Sequence, residues 1–524
     1  MQFKPILPLA FILLLATSFS TAQAGGTFDV IAFGAAGNGT TDDTAAIQRA
    51  IDAAKHAGGG TVYFPARTYL VDSCFSSPHP WFFYTLLIDG SNVTLSGQKG
   101  AKLLQGPKGR HPVLAGATEV RNTVLVFGFD SAIIRFQNPA YNGGFFRLKA
   151  TRAGAAAASL ANAADVSHFA TGDYVAIYAW TTGDVIPTET SRVVSVDAPS
   201  GTLVLSGPLA RAFQSPSIVK VTSIATTNVG IKNLVVEGTE PLAVTETFGF
   251  TAEDNRFVLN TAAGGRNVTG LNFNTLDGFR FSRNTVTCSG PAFSILELPQ
   301  RNSRNGVLED NTFEVRQTGM GEYAAHWRFT GNTFILRPDV KTTVGLGIGG
   351  LDIDFHTNRV EGGNLVGGGG FGSLMADYNA PDDYAPYVGR IRITDNVFSC
   401  RADGNACLGL FAPDTVVTGN TITVRGSGNG IHAEGPLPQS LVIRNNRLTM
   451  GTGNGMVIVT PLRDGSTITH NTISGSKSAA GIFVASPKSP NAGAHAIADN
   501  TITGFGTEVS IDRAKHPGTK LSPR

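Results

Sequence analysis

Apolar and polar residues alternate with a period of two over much of this chain. Ile391 and Ile393 alternate with polar neighbours, and Leu441 and Ile443 do the same further on. This period predicts short strands that bury one face, whereas the spacing of an amphipathic helix is absent from these segments. We therefore predict an all-β chain over most of its length.

The alternation belongs to a longer repeat, apolar-x-apolar-x-x-Asn-x-apolar. Successive asparagines are 21 to 38 residues apart, mostly close to 25. Short strands in such a repeat cannot bury their inner face alone, so each repeat predicts one coil stacked on its neighbours at about 4.8 Å. The asparagines are Asn284, Asn311, Asn332, Asn358, Asn396, Asn420, Asn446, Asn471 and Asn500.

A third strand is predicted in each coil because glycines at Gly430, Gly455 and Gly481 open further apolar segments in register with the asparagines. Each coil then has one strand before the asparagine turn, one after it and one opened by glycine. Asparagine tolerates a left-handed backbone and can bond the asparagine of the next coil. We therefore predict a structural role for these asparagines within a parallel β-helix.

Two segments depart from the repeat. Apolar residues from Ile47 to Ala54 have helical spacing, which predicts an N-terminal helix over Thr44–Ala57 that caps the solenoid, with Asp42 and Asp43 as its capping residues. Residues 169–209 predict an inserted β-hairpin subdomain, preceded by an alanine-rich connector at 153–164. The expected regions are a signal peptide (1–24), the cap and first coils (25–75), early coils with the β-rich insertion (76–225), regular coils (226–512) and a tail (513–524).

The first residues predict export from the cell. Lys4 precedes an apolar run from Ile6 to Phe19, and Ala22 and Ala24 frame a cleavage site before Gly25. The run is too short for a lasting membrane span. We expect a secreted protein, either extracellular or periplasmic.

The net charge of the mature chain bears on the kind of partner it could bind. Removing Lys4 leaves 40 basic against 39 acidic residues, a formal charge of +1, which gives no electrostatic reason to expect a nucleic-acid partner.

In an exported protein, Cys400 and Cys407 are close enough in sequence to form a local disulfide, with Cys74 and Cys288 as a second candidate pair. Buried thiols are the alternative.

The segment 28–70 contains the elements Phe-Gly-Ala, Gly-Thr-Thr-Asp-Asp and Gly-Gly-Gly-Thr-Val-Tyr-Phe-Pro. It closely resembles the opening of the pectate-lyase superfamily, in the branch with rhamnogalacturonase-like and epimerase-like domains. The resemblance implies a right-handed parallel β-helix, a pectin-lyase-like solenoid, and a polysaccharide partner. Similar openings occur in hydrolases, lyases, C5-epimerases and phage tailspikes, so the reaction stays open.

Signatures that would fix the reaction are missing from the sequence. There is no Asp-Pro-His-Glu run of the alginate epimerases, and no Asn-Thr-Asp, Gly-His-Gly or Arg-Ile-Lys of the polygalacturonases. The resemblance therefore assigns no catalytic residue.

Polar residues at outward strand positions are the first candidates for chemistry. His432 and Glu434 share one parity of their strand, where the following coils have Val457 and Val459 and then Phe483 and Ala485. We expect the two side chains to project together, either as a catalytic pair or as part of a solvated strand face.

An unusually long interval between Asn358 and Asn396 predicts a loop of about a dozen extra residues. Aromatic faces suit sugar rings, and acids suit hydroxyl groups or a cation, so this loop is a candidate sugar-binding segment, with Ca²⁺ as the cation that the acids could hold. A surface loop without function is the alternative. The residues are Asp377, Tyr378, Asp382, Asp383, Tyr384 and Tyr387.

Counting coils places Glu297, Glu322, Asp377 and then His432 with Glu434 on coils zero, one, three and five of the third strand. Carboxyl pairs one coil apart approach the spacing of a retaining glycosidase, and pairs two coils apart that of an inverting one. These acids are therefore candidate catalytic or substrate-binding residues for hydrolysis.

A lyase needs a base and a group that neutralises the uronate carboxylate. His432, Tyr384 and Tyr387 are candidate bases, and Arg390 and Arg401 are candidate neutralisers. Hydrolysis and β-elimination of a pectin-like, uronate-containing polysaccharide both remain open. A noncatalytic glycan-binding or cell-surface structural protein is the alternative, and we expect a monomer in each case.

Overall fold

The computed structural model gives the architecture of most of the chain. It describes residues 25–76, 82–110, 121–128, 146–180, 185–210, 212–213, 216–220, 226–260, 268–288, 294–300, 303–315, 317–320, 325–336, 346–348, 350–362, 365–367, 389–400, 406–434, 440–460, 462–477, 479–485, 495–512 and 519–521. The predicted signal peptide at 1–24 lies outside these ranges. No helix in the described part of the chain is long and apolar enough to cross a membrane.

The described coils form a parallel β-helix with three strands per coil, as the repeat predicts. Each strand pairs in parallel with the equivalent strand of the next coil, which builds three ladders along the solenoid. We name them by their order around the asparagine turn: the first ladder precedes it, the second follows it, and the third closes the coil.

The first ladder contains Thr27–Asp29, Gly60–Phe64, Val93–Gly97, Thr226–Lys232, the C-terminal half of Glu240–Glu253, Arg280–Ser282, Arg304–Glu309, Ala325–Thr330, Leu351–His356, Ile391–Thr394, Thr415–Thr418, Leu441–Arg444, Thr467–Thr469, His495–Ala498 and Thr519–Leu521.

The second ladder contains Asn38–Asp42, Thr68–Val71, Lys102–Gln105, Val235–Gly238, Arg256–Leu259, Thr285–Cys288, Thr312–Val315, Thr333–Leu336, Arg359–Glu361, Val397–Cys400, Thr421–Val424, Arg447–Thr449, Thr472–Ser474 and Thr501–Thr503.

The third ladder contains Phe82–Ile88, Arg121–Phe127, the N-terminal half of Glu240–Glu253, Val268–Asp277, Ser294–Gln300, Gln317–Met320, Leu346–Ile348, Leu365–Gly367, Ala406–Leu410, Asn429–Ala433, Met456–Ile458, Ala480–Val484 and Thr507–Ile511. A short strand, Phe75–Ser76, pairs antiparallel with the first of these.

The asparagines form one continuous hydrogen-bonded ladder, which confirms their structural role. Each Nδ2 donates to the Oδ1 of the next asparagine at 2.9–3.2 Å, and that Oδ1 also accepts the backbone N–H of the preceding asparagine at 2.7–3.0 Å. The ladder begins one coil earlier than the nine predicted positions, at Asn255. Asparagine suits this role because its amide donates and accepts at once.

The expectation that the asparagines themselves adopt a left-handed backbone was wrong. The left-handed backbone belongs to the residue before each asparagine, as at Asp310, Thr357 and His470, whose φ angles are 52° to 57°. The asparagines themselves are selected for their buried amides, since a buried amide without partners is costly. Gly331 and Gly419 occupy the same left-handed position in two other coils.

Aromatic residues fill the solenoid interior in a row that crosses several coils. Phe281, Phe313, Phe334, Phe355 and Phe398 stack in sequence with ring centroids 4.9–6.4 Å apart. All five are fully buried. Because each coil buries its apolar face only against its neighbours, these contacts stabilise the stack as a whole.

A helix at Thr44–His56 packs against the first strands of the solenoid with Ile47, Ala50, Ile51 and Ala54 fully buried. The expected capping role of its two acids holds for one of them. Asp42 accepts hydrogen bonds from the Thr44 backbone and hydroxyl, at 3.0 and 2.5 Å.

Asp43 instead binds the backbone of a preceding turn. Its carboxylate accepts the N–H groups of Ala36 and Gly37 and makes no hydrogen bond to the helix start. Burial alone would raise the pKa of Asp42, but hydrogen bonds from Thr44 and Ser73 outweigh it and lower that pKa. Both carboxylates therefore have structural partners.

The insertion between the early coils is an antiparallel sheet with its own core. Its strands, in spatial order, are Phe146–Arg147, Pro216–Lys220, Tyr174–Trp180, Val185–Asp197, Thr202–Leu205 and Ala157–Ser159. Short 3₁₀ helices lie at Pro107–Gly109 and Ala163–His168.

The expectation of a simple connector at 153–164 was wrong. Ala157–Ser159 pairs with Thr202–Leu205, and Ala158 and Leu160 are fully buried in the core of the insertion. Low sequence complexity concealed a strand because alanine is a weak indicator of β-structure.

The predicted local disulfide between Cys400 and Cys407 is present, with the two Cα atoms 5.5 Å apart. It joins the end of a second-ladder strand to the start of the following third-ladder strand. The side chain of Cys288 is outside the described set, so its pairing with Cys74 stays a prediction.

Candidate functional site

Many of the candidate site residues lie outside the described ranges. These are Glu322, Asp377, Tyr378, Asp382, Asp383, Tyr384, Tyr387 and Arg401. Glu297 lies within Ser294–Gln300, but its side chain is not among those described. Their proposed roles, and the Ca²⁺ assigned to the acids, remain predictions from the sequence.

His432 and Glu434 contact each other on the outer face of the third ladder. His432 Nε2 lies 3.1 Å from Glu434 Oε2, within hydrogen-bonding distance. The backbone N–H of Glu434 donates to the Leu410 carbonyl in the preceding coil, which fixes the main chain of Glu434 relative to the ladder. The His432 side chain is 24% exposed and that of Glu434 is 53% exposed, so both remain accessible.

His432 belongs to an outward row that runs across the third ladder. In register, Glu297 pairs with Gly319, and the row continues through Gly347, Val366 and Gly409 to His432. Glu297 and His432 are therefore five coils apart, as the count from the sequence predicts. At about 4.8 Å per coil this separation is roughly 24 Å, too far for the two residues to act on one bond.

A second polar row lies at the corner where the third ladder turns into the first. We call it the corner row, and it consists of Asn305, His326, Asp352, Arg390 and Asp414, which occupy equivalent positions on successive coils. Each has a positive φ between 52° and 57°. The backbone therefore turns in the same way in every coil, whereas the side chain changes.

Three members of the corner row form a charged cluster. Arg390 donates from Nε and Nη2 to the two carboxylate oxygens of Asp352, at 2.5 and 2.6 Å. His326 Nδ1 lies 3.3 Å from Asp352 Oδ2. Arg390 is 50% exposed and His326 is about one-third exposed, so the cluster faces solvent.

The electrostatics of the cluster keep its central carboxylate ionised. Burial alone would raise the pKa of Asp352, but the hydrogen bond and charge of Arg390, together with His326, lower it below its ordinary value. The same hydrogen bond raises the pKa of Arg390. Asp352 is therefore suited to hold an arginine and a histidine in fixed orientations.

Sequence reasoning identified Arg390 but missed its partners. His326 occupies a turn with positive φ, and its side chain points to Asp352. The available signal was the position of His326, Asp352 and Arg390 relative to the asparagine repeat. That signal could be read only with the coil register, because the long interval between Asn358 and Asn396 disturbs the spacing.

The antiparallel insertion docks beside the start of the corner row through buried charges. Arg304 Nη1 donates to the Thr190 carbonyl at 2.8 Å and lies 3.7 Å from Glu189 Oε2. Asp277 accepts from Asn305 at 2.7 Å, and burial raises the pKa of this carboxylate. The insertion is therefore anchored one coil from His326.

Within the part of the chain that the structure describes, no group of three or more His, Cys, Asp or Glu side chains could hold a metal ion. The acids proposed to hold Ca²⁺ belong to residues 377–383, which are not in that part. The described candidate residues are therefore the His432–Glu434 pair on the third ladder and the corner row.

Comparison with known proteins defines the class. Residues 27–125 match the family model described as rhamnogalacturonase A/epimerase, pectate lyase-like, and residues 353–503 match the model of a right-handed β-helix region. The resemblance noted from the N-terminal motifs is thereby confirmed, and the solenoid is a right-handed parallel β-helix of pectate lyase-like type.

Particular relatives match over short segments. Mannuronan C5-epimerase AlgE3 of Azotobacter vinelandii is 68% identical over 44 residues, which are 8% of this chain and 2% of that protein. Alginate lyase 7 of the same organism is 64% identical over 44 residues, 8% of this chain and 5% of the relative. The chain thus spans a small fraction of the curated relatives it matches.

A solved structure matches over nearly the whole chain. The tailspike gp61 of Pseudomonas phage phi297 has 12% sequence identity and a TM-score of 0.54, with 94% of this chain and 83% of the tailspike covered. At this identity the likeness shows the fold alone.

Proposed function

We propose that this protein is exported, binds a uronate-containing polysaccharide along the third ladder, and cleaves it by β-elimination. The observation that carries the proposal is the contact between His432 and Glu434 on the accessible outer face of that ladder. A histidine held by a carboxylate is a suitable general base near neutral pH. The curated relatives with matching N-terminal segments include an alginate lyase, which supports the uronate class.

In the proposed reaction, His432 removes the proton from C5 of a uronate residue. The electron pair of that C–H bond forms the C4–C5 double bond, and the bond from C4 to the glycosidic oxygen breaks. The departing oxygen takes up a proton from water, and His432 later returns its own proton to solvent. One chain thus becomes two, one of which has an unsaturated uronate at its end. Glu434 holds the imidazole ring in its orientation through the contact with Nε2.

The carboxylate beside C5 must be neutralised for this proton to leave. Arg401 is the sequence candidate for that role because it directly follows Cys400, one coil before His432. Arg390 lies on the corner of an earlier coil, already oriented by Asp352, and suits the carboxylate of another sugar unit along the same chain.

Epimerisation at C5 is the second candidate, favoured by the matching segments of mannuronan C5-epimerases. It shares the first proton transfer but returns a proton to the opposite face of C5 without breaking the chain. Hydrolysis would require Glu434 to act with a second acid such as Asp377. Glu434 is already paired with His432, which makes this assignment weaker than β-elimination.

The experiment is to incubate the purified mature chain with alginate, polygalacturonate and neutral polysaccharides, with and without Ca²⁺. Ultraviolet absorbance of unsaturated uronates, release of reducing ends and deuterium incorporation at C5 are followed together. We expect absorbance and reducing ends to rise in parallel. A dependence on Ca²⁺ would support the proposed role of the acidic loop.

The other outcomes separate the alternatives. Reducing ends without absorbance would contradict β-elimination and indicate hydrolysis. Deuterium incorporation without new chain ends would indicate epimerisation. If none of the three signals rises with any polysaccharide of the panel, the enzymatic proposal is overturned and a noncatalytic glycan-binding protein is favoured.

A further inference from the structure

The residues of the outward row of the third ladder differ before and after His432. In register, His432 pairs with Val457, which pairs with Phe483, and the row ends at Ser510. In the four coils before His432 the same row has Gly319, Gly347, Val366 and Gly409. Two consecutive apolar residues, Val457 and Phe483, therefore follow directly after the candidate base.

Phe483 presents its ring to solvent, whereas most of the phenylalanines that the structure describes in the solenoid lie in the core. It is 39% exposed, whereas Val457, between it and His432, is only 7% exposed. An exposed phenylalanine forfeits the free energy that its burial would provide. Here it lies two coils from His432 in the same row, with the buried side chain of Val457 between them.

We infer that Phe483 forms a stacking subsite for a sugar ring of the bound polysaccharide. This inference rests on the proposed function, since it assigns the same glycan to a second contact. The face of a pyranose ring carries C–H groups, which pack on aromatic rings and leave the hydroxyl groups in water. Val457 forms the floor between the subsite and His432.

The strand register also determines how a bound glycan would lie relative to the solenoid axis. His432 and Phe483 are two coils apart, about 9.6 Å along the solenoid axis. A chain that touches both must lie parallel to that axis, across the strands of the third ladder. Oligosaccharides too short to span two coils cannot occupy both contacts at once.

The test compares Phe483→Ala with Phe483→Trp, which keeps an aromatic face, and with the control Phe75→Ala. Phe75 is 44% exposed but lies on an antiparallel strand outside this row. Affinity for alginate and polygalacturonate is measured by calorimetry in a His432→Ala background, so that cleavage does not consume the probe. Melting temperatures establish that each variant is folded.

We expect Phe483→Ala to weaken polysaccharide binding about tenfold, the scale of one aromatic contact. The tryptophan variant and Phe75→Ala should bind like the parent. In the active protein, Phe483→Ala should raise KM for long chains without lowering kcat, and should leave short oligosaccharides unaffected.

Equal affinity of Phe483→Ala and its parent would overturn the subsite and leave the proposed cleavage intact. Loss of binding by Phe483→Ala in a protein that cleaves nothing would keep the subsite and overturn the cleavage. Failure of the parent to bind either polymer would overturn both.

Discussion

Two edges of the solenoid make the same backbone turn with different residues. At the asparagine edge, a residue with positive φ precedes an asparagine in each coil, and the asparagine amides are buried against one another. At the corner row each coil again turns through a residue with positive φ, but its side chain is charged or polar and differs from coil to coil. The residue after the turn is an asparagine in each coil from Asn255 onwards, whereas no residue type is fixed at the corner row.

Each of the two edges contains an arginine–aspartate ion pair, and the two pairs have similar geometry. Arg283 donates from Nε and Nη2 to Asp254 at the asparagine edge, at 2.8 and 2.9 Å, much as Arg390 does to Asp352 at the corner. Both arginines are about half exposed. Only the corner pair includes a histidine and adjoins the third ladder. Residues that repeat from coil to coil are therefore structural, and polar residues that interrupt the repeat are candidates for binding or catalysis.

The largest expected effect is on catalysis. His432→Ala should lower kcat/KM for the cleaved polysaccharide by about 10²- to 10⁴-fold, since it removes the general base. His470→Ala is the control, because His470 also faces an acid, Asp499 at 3.8 Å, but at the asparagine edge. Initial rates of absorbance increase measure both. An equal loss in the two variants would remove the functional distinction between the edges.

The next effect is on stability. Asn358→Ala deprives the Asn332 backbone N–H and side-chain amide of their shared acceptor. The Asn332 amide keeps its hydrogen bond to the Leu308 carbonyl, but the backbone N–H and one side-chain N–H lose their acceptor, which costs about 2–5 kcal/mol in the free energy of unfolding. Urea denaturation measures it. Asn500→Ala, at the partly buried end of the ladder, should cost less, and an equal cost would show that burial does not govern the ladder.

The two arginines sharpen the comparison. Arg390→Ala should raise KM about tenfold or more, since a hydrogen bond to a charged group contributes about 1.5–3 kcal/mol. Arg283→Ala should leave KM unchanged, and each variant should change stability by no more than about 1 kcal/mol. Steady-state kinetics on polymer substrate test this. A KM shift of similar size in both would assign it to general surface charge.

The smallest effect is a dependence of stability on acid. The folded pKa of Asp352 is lowered, so its stabilising contribution is present above the unfolded pKa of about 3.9 and is lost as pH falls through the folded value. Partial exposure limits the contribution to about 1 kcal/mol. Asp352→Asn should therefore flatten the acid limb of the unfolding profile. An unchanged limb would mean that the carboxylate does not titrate with folding.

Much of the fold was predictable from the sequence because the repeat is local. Nine of the asparagines, the three strands per coil and the Cys400–Cys407 disulfide all follow from spacings within one or two coils. The tenth, Asn255, has the same pattern and was overlooked. The alanine-rich strand was missed because alanine lacks a β-forming signal.

The candidate site was less predictable because its members come from different coils. The pairing of His326 with Asp352 depends on a turn register that only three-dimensional stacking fixes. The docking of Arg304 beside Glu189 joins residues 115 positions apart in the chain. His432 and Glu434 were found because two residues of one parity on one strand form a local pattern.

The most direct test of the account measures kcat/KM and the free energy of unfolding together for Asn358→Ala and His432→Ala. We expect opposite profiles: Asn358→Ala loses stability but keeps its activity per folded molecule, and His432→Ala loses activity but keeps its stability. If His432→Ala instead lost stability with no specific loss of activity, the histidine would be a structural residue. The division between a structural edge and a functional face would then be contradicted.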